Sequence, residues 1–301
     1  MDHFELVGLT RLMERTEGWP ETVIAVIDGP LVRGQPAFSG QRIREIESSS
    51  PAACRYTNSF ACTHGTFIMG MLAAKRGSGA PAICPGCTFL VRPIFSELSG
   101  GNGEGPSAPP EELAAAIIDT INAGARIINL SAALGQSSSR GEVQLTEALD
   151  YAVKRGVIIV AAAGNQGTVG SSIITRHRFV IPVVASDSSG RPVAQSNLGS
   201  SIGRQGLSAP GENITSLGAQ GALETFGGTS AAAPFVTGAI ALLWSEFPFA
   251  SATIIKWAIA GAGPQRRRTI APPLLDAWAA YQALASDRHG RRHYERKQSE
   301  Y

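Results

Sequence analysis

The chain holds 301 residues, long for one domain and short for three. At 44% hydrophobic and 17% charged, it suits a compact soluble globule with a large core. Its net charge of +2 is too balanced to imply a nucleic-acid partner or an anionic membrane surface.

The opening stretch, "MDHFELVGLTRLMERTEGW", carries charge throughout and lacks the apolar core of a targeting segment. No apolar run reaches the length of a membrane span. Both point to the cytoplasm, a chain trimmed at its start being the exception. The β-branched run "TVIAVID" (22–28) predicts a strand that stops at an Asp-Gly turn. His64 is expected to begin a helix of small and apolar residues, "HGTFIMGMLAAK". The runs 88–95, 125–131, 156–164 and 178–186 are apolar on both faces, as strands buried in a parallel sheet are. Between them, "PPEELAAAIIDTINAG" (109–124) opens on proline and acids and stops at glycine, as helices do. "GEVQLTEALDYAVKRG" (141–156) behaves likewise, and "SAAAPFVTGAIALLWSEF" (230–247), apolar nearly all round, reads as a central buried helix. This alternation predicts an α/β fold: a doubly wound, mostly parallel sheet with helices on both faces. Residues 1–285 are expected to form one domain, and 286–301 read as a polar, disordered tail or frayed helix end.

Cys54, Cys62, Cys84 and Cys87 fall in one short window, the last two as a C-x-x-C. Free or redox-labile thiols, one or two local disulfides such as Cys54–Cys62, and a four-cysteine zinc knot are all open readings. A single C-x-x-C weighs against zinc, because such sites usually carry two.

In doubly wound sheets, sites form at the carboxyl ends of strands. Asp28 ends the first strand, and His64 and Ser230 stand at helix starts, Ser230 behind Gly227-Gly228-Thr229. A hydroxyl is a weak nucleophile at neutral pH. It needs a base to take its proton, and the base needs a carboxylate to orient it. Ser230, His64 and Asp28 are those three types. His64 is the best base, because His3, His177, His289 and His293 sit in termini or polar loops. A helix start also aims backbone N–H groups at an oxyanion beside Ser230. Asn165, just after a buried strand in "AAAGNQG" (161–167), supplies a second donor. Singly, each residue has a bland reading: turn former for Asp28 and Asn165, structural hydrogen-bonder for His64, loop before a buried helix for Ser230. Their order Asp, His, Asn, Ser on an α/β pattern argues for chemistry.

The stretches "VIAVIDG", "THGTFIMGML", "IINLS", "VAAAGNQG", "LSAPGENI" and "GGTSAAAPFVTGAIALL" resemble, in order over residues 22–243, those of subtilisin-type serine proteases. The resemblance implies a subtilisin-like fold, with Ser230 as nucleophile, His64 as base, Asp28 as its orienter, Asn165 as oxyanion donor and Thr229 behind them. It implies no cofactor and no metal in the reaction. "AVIDGPLVRGQPAFSG", "AICPGCTFLVRPIFSE", "SNLGSS" and "GLSAPGENITSLGAQG" are more closely similar to the proteases of cyanobactin maturation, which process ribosomally made precursor peptides. One type of these removes the leader. The other removes a recognition tail and macrocyclises, and carries a helical cap inserted between its Asp and His. Residues 29–63 show no helical period in "SSSPAACRYTNSFAC", which favours the leader-cleaving, hydrolytic type.

The chain departs from secreted subtilisins in three respects. Asp28 lies so near the start that no pro-domain is expected. "KRGSGAPAICPGC" makes a poor calcium loop, since no Asp or Glu occurs between Glu47 and Glu97. "SAALGQ" stands where the family has Ser-Leu-Gly. A peptide partner is expected to bind as an extended strand between residues 95–101 and 129–133, along Phe95, Ser96, Glu97, Leu130, Ser131, Ala132 and Gly164. The leading expectation is a cytoplasmic endopeptidase acting on a precursor peptide. A general degradative subtilisin, a peptide macrocyclase and a catalytically dead peptide-binding module are the alternatives.

Overall fold

Along the strand Val23–Asp28 (β1), Ile24 and Val26 belong to one hydrophobic core, and Ala25 and Ile27 to another. A strand with water on neither side needs apolar residues at every position, which is why "VIAVI" does not alternate. The structure, a computed structural model, describes residues 2–46, 54–95, 107–131, 133–134, 139–261 and 269–286. Ahead of β1 lie α1 (His3–Leu6) and α2 (Leu9–Arg15). After it come β2 (Arg42–Glu45), α3 (Phe60–Ala73), β3 (Thr88–Pro93), β4 (Ser107–Ala108), α4 (Pro110–Asn122), β5 (Ile127–Leu130) and β6 (Ala133–Leu134). Then follow α5 (Ser139–Lys154), β7 (Ile158–Ala162), α6 (Ile173–Arg176), β8 (Val180–Ser186), α7 (Ser200–Gln205) and β9 (Leu207–Pro210). Next come β10 (Ile214–Leu217), β11 (Leu223–Phe226), α8 (Thr229–Glu246) and α9 (Ala252–Ile259), and residues 277–286 are helical as well.

Seven strands form a parallel sheet in the order β2-β3-β1-β5-β7-β8-β9. Helix α8 crosses β5, β7, β8 and β9 on one face and meets α3, while α4 and α5 serve the opposite core. This is the doubly wound α/β arrangement read from the sequence. The core under α8 draws on residues from Val7 to Leu284. No described helix is long and apolar enough to cross a membrane.

Several boundaries differ from the sequence reading. Helix α3 opens at Phe60, so His64 lies in its second turn; the Ser59 hydroxyl caps the start by accepting from Cys62 N at 3.1 Å. Helix α8 opens at Thr229 rather than Ser230, and β3 stops at Pro93 rather than residue 95. Edge strand β2 is an addition: "RIRE" buries only Ile43 and exposes its arginine at 42, too polar a pattern to read as a strand. The tail reading falls, after Ser286, outside the described residues.

The cysteines divide. Cys54 and Cys62 form a disulfide, whereas Cys84 and Cys87 are free and fully buried. A disulfide between Cys84 and Cys87 is therefore not formed, and a four-sulfur zinc knot fails because two of its sulfurs are bonded to each other. Burial first, then a hydrogen bond that the Cys84 thiol donates to Cys87 and the charge of Cys87, hold the Cys84 thiol well above its ordinary pKa.

Candidate active site

The carboxyl end of β1 and the start of α3 approach so closely that neither tolerates a side chain at the contact. A Cβ on Gly29 would strike the Ala61 carbonyl, and a Cβ on Gly65 would strike the Gly29 and Pro30 carbonyls. That approach carries His64 to Asp28. The Nδ1 of His64 lies 2.6 Å from Asp28 Oδ1, with both residues buried. A carboxylate only accepts, so Nδ1 carries the proton and Nε2 is left as a base. Asp28 Oδ1 also accepts from Gly29 N at 2.6 Å, and Oδ2 is buried without a partner among the described residues.

Ser230 is half-buried in the first turn of α8. Its hydroxyl donates to the Ser131 carbonyl at 3.5 Å, and no hydrogen bond joins it to His64 in this conformation. Hydrogen bonds between a hydroxyl and a base in such a site often tighten only in the substrate complex. Pro234 lacks an N–H, so the Ser230 carbonyl loses the amide four residues on. Ser131 Oγ donates to that carbonyl instead, at 3.5 Å, and is itself held by Asn129 Nδ2 at 2.9 Å. Thr237 Oγ1 donates to Asn129 Oδ1 at 2.8 Å. A buried network thus fixes α8 against the end of β5. Asn129 and Thr237 were not singled out from sequence, although a polar residue inside the buried run "IINL" is itself a signal.

Asn165 follows β7 on a loop and is exposed. Its Oδ1 accepts from Thr229 N at 2.8 Å and from Thr229 Oγ1 at 3.0 Å. Because a backbone amide must meet an oxygen, the side-chain orientation is fixed and Nδ2 is the group left over. Thr229, fully buried, also accepts from Gly164 N at 3.2 Å. Gly164 takes φ +103°, a left-handed conformation that only glycine adopts easily, and so turns the chain from strand to loop. Asn197 steadies the same loop, accepting from Gln166 N and Thr168 N at 3.1 Å each.

The register places these groups side by side. Ile27 pairs with Leu130, and Leu130 with Ala161, so Asp28, Ser131 and the Asn165 loop leave three neighbouring strands at one end of the sheet. Among the residues named for substrate, Ser131 and Gly164 stand at this edge. Phe95 and Leu130 are buried in the core beneath it, and Ser96, Glu97 and Ala132 lie outside the described residues. Phe60 was not foreseen either; its ring lies 5.6 Å from that of His64.

The profile of the subtilase family matches residues 20–266. Fervidolysin from Fervidobacterium pennivorans is 30% identical over 276 residues, which cover 81% of this chain and 37% of fervidolysin. The chain therefore spans little more than a third of that relative's length. Among solved structures, the protease domain of PatA, a patellamide maturation protease, is 30% identical with a TM-score of 0.78, covering 90% of this chain and 97% of that one. The PatG macrocyclase in complex with peptide shares the fold, with a TM-score of 0.77 at 21% identity and coverage of 93% and 96%. The profile runs through Asp28, His64, Asn165 and Ser230 alike, and the chain belongs to the subtilase family.

Proposed function

We propose that this chain is a serine endopeptidase that hydrolyses a peptide bond in a ribosomally made precursor peptide, removing its leader. The observation that carries the reading is the buried His64–Asp28 pair, together with a serine presented at the start of a buried helix and facing the Ser131 carbonyl at the same end of the sheet. In the mechanism, Ser230 Oγ attacks the peptide carbonyl as His64 Nε2 takes its proton, and Asp28 holds the resulting imidazolium. Asn165 Nδ2 and the Ser230 amide stabilise the oxyanion. His64 then protonates the leaving amine, and water, activated by the same ring, releases the acid. The peptide's acyl half extends along Ser131 at the end of β5. We read residues 1–285 as one peptidase domain, on the strength of a core shared from Val7 to Leu284.

The likeness to the PatA protease domain, a maturation protease at 30% identity, supports the leader-cleaving reading over general degradation. Macrocyclisation remains the competing fate of the acyl-enzyme. Among the described residues between Asp28 and Phe60, the only helical element is the three-residue turn Pro36–Phe38, too little for a helical cap. A ribosomal substrate argues for a cytoplasmic place of work, and the Cys54–Cys62 bond argues for oxidising surroundings. Counting free thiols in protein taken from intact cells decides between them. The central test is mass spectrometry of candidate precursor peptides after treatment with the wild type and with Ser230→Ala. Cleavage by the first alone is expected; equal cleavage by both refutes the assignment.

A further inference from the structure

Phe60 is 50% exposed, although its ring lies 5.6 Å from that of His64 and 6.2 Å from that of Phe226. Phe226 sits 4.8 Å from buried Phe67, which anchors the pair to the core. A single exposed apolar residue needs no explanation. This one is held with unusual firmness. It is the first residue of α3, and the backbone before it turns with Ser59 N donating to the Tyr56 carbonyl at 2.9 Å. Ser59 caps the helix, and the Cys54–Cys62 disulfide ties the same turn covalently to the chain ahead of it. An aromatic side chain on a backbone fixed this way loses little entropy when something packs on it.

Its place says which part of a substrate it meets. His64 must protonate the leaving amine, so the residue bearing that amine has to lie against His64 Nε2. The side chain of that residue is one carbon from the amine, within reach of a ring centred 5.6 Å from the imidazole. In the mechanism proposed above, the acyl half lies elsewhere, over Ser131 at the end of β5. Phe226 ends β11, whose partner strand β10 packs on α3. We infer that Phe60, backed by Phe226, walls a leaving-side subsite that selects a large apolar side chain on the residue immediately after the scissile bond. This rests on the endopeptidase reading above and names a specificity for it.

The test is a peptide library of mixed sequence, digested by the wild type, Ser230→Ala, Phe60→Ala and Phe60→Leu, with the cuts read by mass spectrometry. A pocket discriminating by apolar contact gives factors of about ten or more. The wild type should therefore cut before Leu, Phe, Met or Tyr about ten times as often as before Gly, Ser or Asp. Phe60→Ala should bring that ratio near one, and Phe60→Leu should keep part of it. Phe249→Ala, which trims a side chain 95% exposed and remote in sequence, should leave the ratio as it was. A wild-type ratio near one overturns the subsite and leaves the endopeptidase reading standing. So does an unchanged ratio in Phe60→Ala or, if that variant melts early, in Phe60→Leu. A library uncut by the wild type overturns both.

Discussion

Replacing Thr229 by valine tests whether Asn165 acts as a fixed donor. The change keeps the side-chain volume and the backbone amide but deletes the hydroxyl. Two hydrogen bonds disappear, one to Asn165 Oδ1 at 3.0 Å and one from Gly164 N at 3.2 Å, while the 2.8 Å bond from Thr229 N survives. Loss of a whole oxyanion donor costs about 10²–10³ in kcat. Losing one of the two neutral bonds that aim the donor is worth about 1 kcal/mol, or roughly fivefold in the share of correctly oriented amide. Thr229→Val should therefore lower kcat by about five- to tenfold. KM should hold, because the interaction exists in the transition state and not before it. The unpaired Gly164 amide, half-buried and within reach of water, should cost stability near the low end of the usual 1–3 kcal/mol. Steady-state kinetics and a thermal melt measure both, with Thr229→Ser as the variant that restores the hydroxyl. Wild-type kcat in Thr229→Val refutes the reasoning, as does a valine enzyme as slow as Asn165→Ala.

Three further outcomes are expected. A calcium chelator should leave activity and melting temperature nearly unchanged, since residues 48–96 contain no carboxylate to hold a hard cation; a melting point that collapses would show a site elsewhere. Burial, then the nearby Arg178 charge, depress Lys256 to about 8, so above that pH the unfolded chain binds a proton that the folded chain does not. Stability should rise with pH from about 8 towards the ordinary lysine range, and Lys256→Met should abolish that rise in urea titrations. The cleaved peptide should end in a free acid; a product lighter by one water would reveal a ring and a cap over the site.

The sheet was legible because burial on both faces leaves a plain mark: apolar runs, interrupted by Asn129 in the second, that stop at Asp28, Ser131 and the Asn165 loop. Thr229-Ser230 stood out for a related reason, since the small residues around it leave room for the peptide carbonyl of the proposed mechanism. The first turn of α3 was not. Nothing periodic marks "CRYTNSFAC", and the turn is imposed by the Ser59 cap and by a disulfide whose pairing the sequence left open. The orientation of Asn165 was equally hidden, because it depends on an amide 64 residues further along the chain. The network from Thr237 through Asn129 to Ser131 joins residues 108 apart, and only the folded register brings them together.

The covalent tie between Cys54 and Cys62 makes the local chemistry of the surroundings part of the active site. Glutathione and thioredoxin keep most thiols reduced in a cytosol, and secreted compartments keep them paired. In the reduced protein the opening turn of the His64 helix would rest on the Ser59 cap, a restraint of about 1 kcal/mol. In the oxidised protein the same turn is bonded to a residue eight positions earlier and cannot unwind freely. On the proposed reading, the turn that carries Phe60 beside His64 would therefore be stiff when oxidised and slack when reduced. Glutathione, by setting which version is present, would tune the rate of cleavage without touching Asp28, His64 or Ser230.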